Sequence, residues 1–189
     1  LPIFDTATLF RVKNDRLLEI FNGHPIVHNI GGGDWPGMED AWDAILTRGK
    51  KIYGIAVDDA HNFQGEFEKS RANPGRGWVV VRTRARDARE IVTALDEGRF
   101  YASTGPVVDA ITVTETALSL TITRTGDFKY TTQFVGANGE ILATDKSLTP
   151  SYRLRGTETY VRARVVDSSG ATAWIQPVFT SRYRERTTP

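Results

Sequence analysis

The periodicity of the chain changes near Pro106, and this change limits the possible folds more than any other feature. Before it, short apolar runs alternate with helical patterns; after it, apolar residues recur at every second position. Strands alternating with helices imply parallel β/α units, whereas period-two runs separated by turns imply antiparallel sheets. The expectation is therefore α/β followed by all-β, with residues 1–107 forming one unit and residues 108–182 another.

In the first unit, Leu17 to Phe21 reads as a strand ending in Asn22-Gly23-His24. Asp34 to Gly49 reads as a surface helix, because Asp34 can cap it, Pro36 suits its first turn, Met38, Trp42, Ile45 and Leu46 fall at helical spacing, and Gly49 stops it. Ile52 to Val57 is too short for a helix and reads as a strand buried on both faces, ending in Asp58-Asp59-Ala60-His61. Trp78 to Val81 is a third strand, followed by a helix from about Asp87 to Glu97 with Ala88, Ile91, Val92 and Leu95 as its apolar stripe and Gly98 as terminator. Three such units are too few to close a barrel of seven or eight.

The second unit offers strands at Ile111–Thr114, Leu118–Thr123, Tyr130–Val135, Ile141–Ala143, Tyr160–Val166 and Ala173–Phe179. Turn signals at Thr125-Gly126-Asp127, Ala137-Asn138-Gly139 and Ser168-Ser169-Gly170 separate several of them. Six or seven short strands at this spacing predict a small antiparallel sandwich. Residues 183–189 read as a polar tail.

Charge and composition remove several functions. Lysine plus arginine is 24 against 23 acidic residues, a net of +1, so no field argues for nucleic acid or an acidic surface as a partner; no apolar run approaches the roughly 20 residues of a membrane-spanning helix, so no membrane is expected either. The run Arg82, Arg84, Arg86, Arg89 reads as a solvated face. With no cysteine, disulfides, thiolate metal sites and cysteine nucleophiles are all excluded. No signal-peptide pattern is present and Leu1 replaces an initiator methionine, so a processed, cleaved or artificial end is expected there and the compartment stays open.

Polar groups at the carboxyl ends of parallel strands are where β/α proteins place their sites. Asp59 and His61 hold such a place. In extended backbone, residues i and i+2 point the same way, so a carboxylate oxygen and an imidazole nitrogen can converge on one cation. Alternatively, Asp59 caps the next turn and His61 bonds locally; Asp58 is a supporting carboxylate or a cap. His24 and His28 are four apart, but Pro25 disfavours the helix of a zinc-protease motif, and loop histidines bonded to backbone are expected. Gly31-Gly32-Gly33-Asp34 lacks the residues of a phosphate loop and reads as a flexible loop, and Ser103-Thr104-Gly105-Pro106 as a connector. Glu19 lies inside an apolar strand run, where it must face solvent, a partner or a metal pocket.

Four stretches together carry a family resemblance: Leu18-Glu19-Ile20-Phe21-Asn22-Gly23-His24, Trp42-Asp43-Ala44-Ile45-Leu46, Tyr53 to Phe63 with its Val57-Asp58-Asp59-Ala60-His61 core, and Gly98-Arg99-Phe100-Tyr101-Ala102-Ser103-Thr104-Gly105-Pro106. Over roughly residues 15 to 107 the chain resembles the carboxyl-terminal half of a PHP (polymerase and histidinol phosphatase) metallohydrolase, of the carbaryl-hydrolase-like branch, whose members often append a β-sandwich. The resemblance implies the last β/α units of a distorted (β/α)7 barrel holding two or three divalent ions, zinc, manganese or iron. These activate water against a small phosphoester, or a carbamate or amide. Asp59 and His61 match the family's last metal motif and are implied ligands, Asp59 also as the catalytic proton acceptor. Glu19, Asn22, His24 and Asp58 are implied to bind substrate or support the metal. The family's His-x-His is absent from this sequence, so the remaining ligands are expected from a missing amino-terminal barrel half, and the chain by itself is expected to be inactive. A carbohydrate- or protein-binding module is the competing expectation, with Tyr130, Tyr152, Tyr160 and Trp174 as candidate contacts, and a structural remnant paired with a partner subunit is a third.

Overall fold

The computed structural model describes residues 6–185. Among the described residues three short α-helices are present, α1 (Thr6–Arg11), α2 (Met38–Thr47) and α3 (Ala88–Asp96), with a 3-10 turn at Ala137–Gly139. The strands are β1 (Leu17–Asn22), β2 (Tyr53–Val57), β3 (Trp78–Val81), β4 (Phe100–Ser103), β5 (Val107–Val113), β6 (Ala117–Thr123), β7 (Tyr130–Val135), β8 (Ile141–Asp145), β9 (Ser151–Arg153), β10 (Tyr160–Asp167) and β11 (Thr172–Phe179). They form a parallel β1-β2 pair, a six-stranded sheet in the order β3-β4-β11-β10-β7-β8, and a three-stranded sheet in the order β5-β6-β9.

This corrects the expected α/β class and barrel segment. Among the described residues only β1 and β2 pair in parallel, and every other pairing is antiparallel. The misreading arises at β3-α3-β4, whose strand-helix-strand order suggests a crossover to a parallel neighbour. Instead Val81 faces Phe100 in an antiparallel ladder, and the Arg82 amide continues it by donating to the Arg99 carbonyl at 2.8 Å. The helix is thus the tip of a long hairpin. Apolar strand runs look alike in both pairings, so periodicity cannot distinguish them.

β4 also pairs with β11, so the large sheet joins strands from both sides of residue 107. Two hydrophobic cores follow from this. In one, Leu118, Leu120 and Ile122 of β6 meet Phe134, Val161, Val165 and Ile175 of the larger sheet, an arrangement compatible with the antiparallel sandwich expected there. In the other, Trp42, Ile45 and Leu46 of α2 pack with Ile20, Ile52, Ala102, Tyr160 and Trp174. Each fully buried side chain of this size stabilises the fold by roughly 1.5–3 kcal/mol.

Local differences have local causes. α2 begins at Met38 after Gly37 rather than at Asp34, because Gly32 and Trp35 exchange two backbone hydrogen bonds of 3.1 and 3.2 Å and close a turn ahead of the helix. Asp87 caps α3 as expected, accepting from the Glu90 amide at 3.0 Å. Its apolar stripe is nevertheless open, with Ile91 37% and Val92 56% exposed, since β3 is the last strand of its sheet. Of the expected polar tail, Tyr183 packs on Phe179 with ring centroids 4.4 Å apart, and residues 186–189 lie outside the described residues.

Candidate functional site

The parallel register places Asn22 beside Val57 at the carboxyl ends of β1 and β2, and the Gly23 amide extends the ladder by donating to the Val57 carbonyl at 2.8 Å. Two loops leave from these tips. The first holds His24; the second opens with Asp58, Asp59 and His61. Side chains from both strand ends therefore face one another across the pair.

Asn22 is the centre of the arrangement. Its side-chain amide donates to Glu19 Oε1 at 2.9 Å and to Asp59 Oδ2 at 3.2 Å, while its Oδ1 accepts from the His24 amide at 2.8 Å. Asn29 holds Asn22 in place from behind, its Oδ1 accepting from the Asn22 amide at 2.8 Å and its Nδ2 donating to the Asn22 carbonyl at 2.9 Å. The other oxygen of Asp59, Oδ1, lies 3.1 Å from His61 Nε2. The His24 and His61 rings stand edge to face, with centroids 5.6 Å apart.

Asp59 is held in left-handed backbone at φ 49°, a conformation that is uncommon outside glycine and that clusters at functional sites when surroundings enforce it. The backbone of His61 is fixed by its own loop: the His61 and Asn62 amides both donate to the Ala72 carbonyl at 2.9 Å, and Asn62 Oδ1 accepts from the Ala72 amide at 3.1 Å. The Asn22 amide, assisted by His61, holds the Asp59 carboxyl below the usual carboxylate range. Both side chains remain open to solvent, Asp59 at 41% and His61 at 65%.

The structure thus brings Glu19, Asn22, His24, Asp59 and His61 together and separates Asp58 from them. Asp58 accepts from the Gly75 amide at 2.7 Å and from the Ala60 amide at 3.3 Å, so it caps the loop. His28 is exposed and outside the cluster. Asn29, the support of Asn22, is a residue that the sequence did not single out; an asparagine in a polar loop gives no signal of the backbone it will bracket.

Tetrahedral zinc with nitrogen and oxygen donors at about 2.0–2.2 Å keeps adjacent donors roughly 3.3 Å apart. The 3.1 Å between Asp59 Oδ1 and His61 Nε2 fits two donors of one ion with little movement. Among the described residues, however, no group of three or more histidine, aspartate or glutamate side chains is gathered closely enough to hold a metal ion. The chain offers a pair of donors, not a cage.

The aromatic residues considered for a binding face are core residues: Tyr160 is fully buried, and Tyr130, Tyr152 and Trp174 are 4–6% exposed. Tyr152 donates to Glu158 Oε1 at 2.6 Å, and Trp174 Nε1 donates to Glu39 Oε2 at 3.1 Å. No known protein family matches the chain, and no curated protein matches it.

Proposed function

We propose that the paired tips of β1 and β2 are a part-site for a divalent cation, and that the chain serves metal-dependent hydrolysis of a phosphoester or related ester. The observation that supports this reading is the approach of Asp59 Oδ1 to His61 Nε2 at 3.1 Å, with the other aspartate oxygen tied to Asn22. Asp59 and His61 would hold the ion. A bound divalent ion supplies a water whose pKa falls from about 15.7 toward 7 and an electrophile for the substrate oxygen.

The chain's own residues then have distinct tasks. Asn22 fixes one carboxylate oxygen and leaves the other for the ion or for a proton. The loop bonds of Ala72 hold the His61 backbone in register with Asp59. Two protein donors leave the rest of the coordination sphere to water, substrate and donors beyond this cluster, which is why activity is expected only once those donors are supplied.

Zinc and manganese titration of the full chain by calorimetry tests the reading. A saturable site that is lost in Asp59→Ala and in His61→Ala, with unchanged melting profiles before metal addition, supports it. Equal metal binding by wild type and both variants, or no binding by any, overturns it.

A further inference from the structure

Where β6 ends, β7 begins and β8 ends, the surface forms a groove of about 490 Å³ lined by Arg124, Phe128, Lys129, Tyr130, Lys146 and Leu148, with Thr131 at its margin. Its three cationic side chains are exposed, and none of them forms an ion pair or a side-chain hydrogen bond among the described residues. Acidic residues are near in sequence but form no ion pair with them among the described residues: Asp145 Oδ1 accepts from the Ser147 amide at 2.7 Å, and neither Asp145 nor Asp127 is part of the lining. Between the cations lie two partly exposed apolar side chains, Phe128 at 40% and Leu148 at 37%.

The walls are held by backbone contacts. The Tyr130 hydroxyl accepts from the Thr125 amide at 3.1 Å, the Lys129 amide donates to Ser168 Oγ at 3.2 Å, and the Ile122 amide donates to the Leu148 carbonyl at 2.8 Å. The cations are therefore carried on a fixed frame. Three like charges around one groove repel each other, and an anion entering between them relieves that repulsion while an apolar group covers Phe128 and Leu148.

We propose that this groove binds an acidic peptide segment in which an apolar side chain is flanked by carboxylates. A net charge of +1 gives the chain no long-range field for gathering a long polyanion, which disfavours nucleic acid. Tyr130 is buried, so Leu148 beside the one exposed ring of the lining, Phe128, suits an aliphatic or aromatic side chain better than the flat platform on which bases or sugars stack.

Calorimetric titration of the full chain with the peptide Glu-Glu-Leu-Phe-Glu-Glu tests the proposal. Binding is expected to be saturable below about 1 mM at low salt and to weaken as salt rises. The exposed-site variant Arg124→Glu/Lys146→Glu should lose at least about tenfold in affinity, and Phe128→Ser should also weaken binding, both without a change in melting temperature. Three results would overturn it: no saturable binding, equal binding by Arg124→Glu/Lys146→Glu, or equal binding by Phe128→Ser together with equal affinity for hexaglutamate, which would mean bare charge attraction.

Discussion

Arg162 of β10 grips Asp43 of α2 through two hydrogen bonds, Nε to Oδ1 at 2.7 Å and Nη2 to Oδ2 at 2.6 Å. Both residues are buried, and the Tyr160 hydroxyl adds a third contact to Asp43 Oδ1 at 3.2 Å. Because α2 packs on β1, this pair ties the helix behind the Asn22–Asp59–His61 cluster to the large sheet. Removing Asp43 leaves the buried Arg162 guanidinium with Glu39 Oε1, at 2.8 Å, as its remaining carboxylate partner, so Asp43→Ala should cost up to about 3–5 kcal/mol in urea unfolding. A loss under about 1 kcal/mol would show that the pair does not clamp the helix.

Glu39 joins the same network, 2.8 Å from Arg162 Nη2 and 3.2 Å from Arg164 Nη1. Burial alone would raise its pKa, but the two guanidinium groups outweigh burial and hold it below the usual carboxylate range. A carboxyl whose pKa is lower folded than unfolded adds stability at neutral pH, and that stability is lost as pH falls through the folded value. Thermal melts of wild type should therefore fall below about pH 4.5 more steeply than those of Glu39→Gln. Parallel curves would remove Glu39 from the account.

Asn22→Ala should release Asp59 from its second tether while leaving both proposed metal donors, Asp59 and His61, in place. Loss of such a supporting bond commonly reduces metal affinity about 10–100-fold. Zinc calorimetry on Asn22→Ala checks this, and wild-type affinity in the variant would show that Asn22 does not orient Asp59.

Gly98 closes α3 at φ 70°, and a Cβ there would collide with the Tyr53 ring. Left-handed backbone costs an L-residue about 1–2 kcal/mol before the ring must move. Gly98→Ala should lower stability by at least about 1 kcal/mol in chemical denaturation, and a neutral result would mean that Tyr53 swings aside freely.

Much of this molecule is legible residue by residue. The runs 17–22, 53–57 and 130–135 become strands because short apolar stretches bounded by polar turns have little else to form, and Asp87 with its following stripe marks a helix start. Pairing partners are another matter. Nothing in Phe100-Tyr101-Ala102-Ser103 announces that it lies between β3 and β11, since partner choice depends on residues far away in sequence. β9 was not anticipated because three residues, only Tyr152 of them buried, carry too little alternation. At the candidate site, the i, i+2 spacing of Asp59 and His61 anticipates their approach, but the extended backbone assumed for it does not hold at Asp59, where left-handed geometry and Asn22 set the aim.

The seating of β4 between β3 and β11 has a consequence for biosynthesis. A ribosome extrudes β4 well before β11 exists, so until residues 172–179 follow, that strand has one bare margin and its own Phe100 and Tyr101 side chains lack part of their cover. Such distant pairing slows collapse into the native arrangement, and nascent chains halted before residue 172 should be retained by chaperones that full-length chains escape.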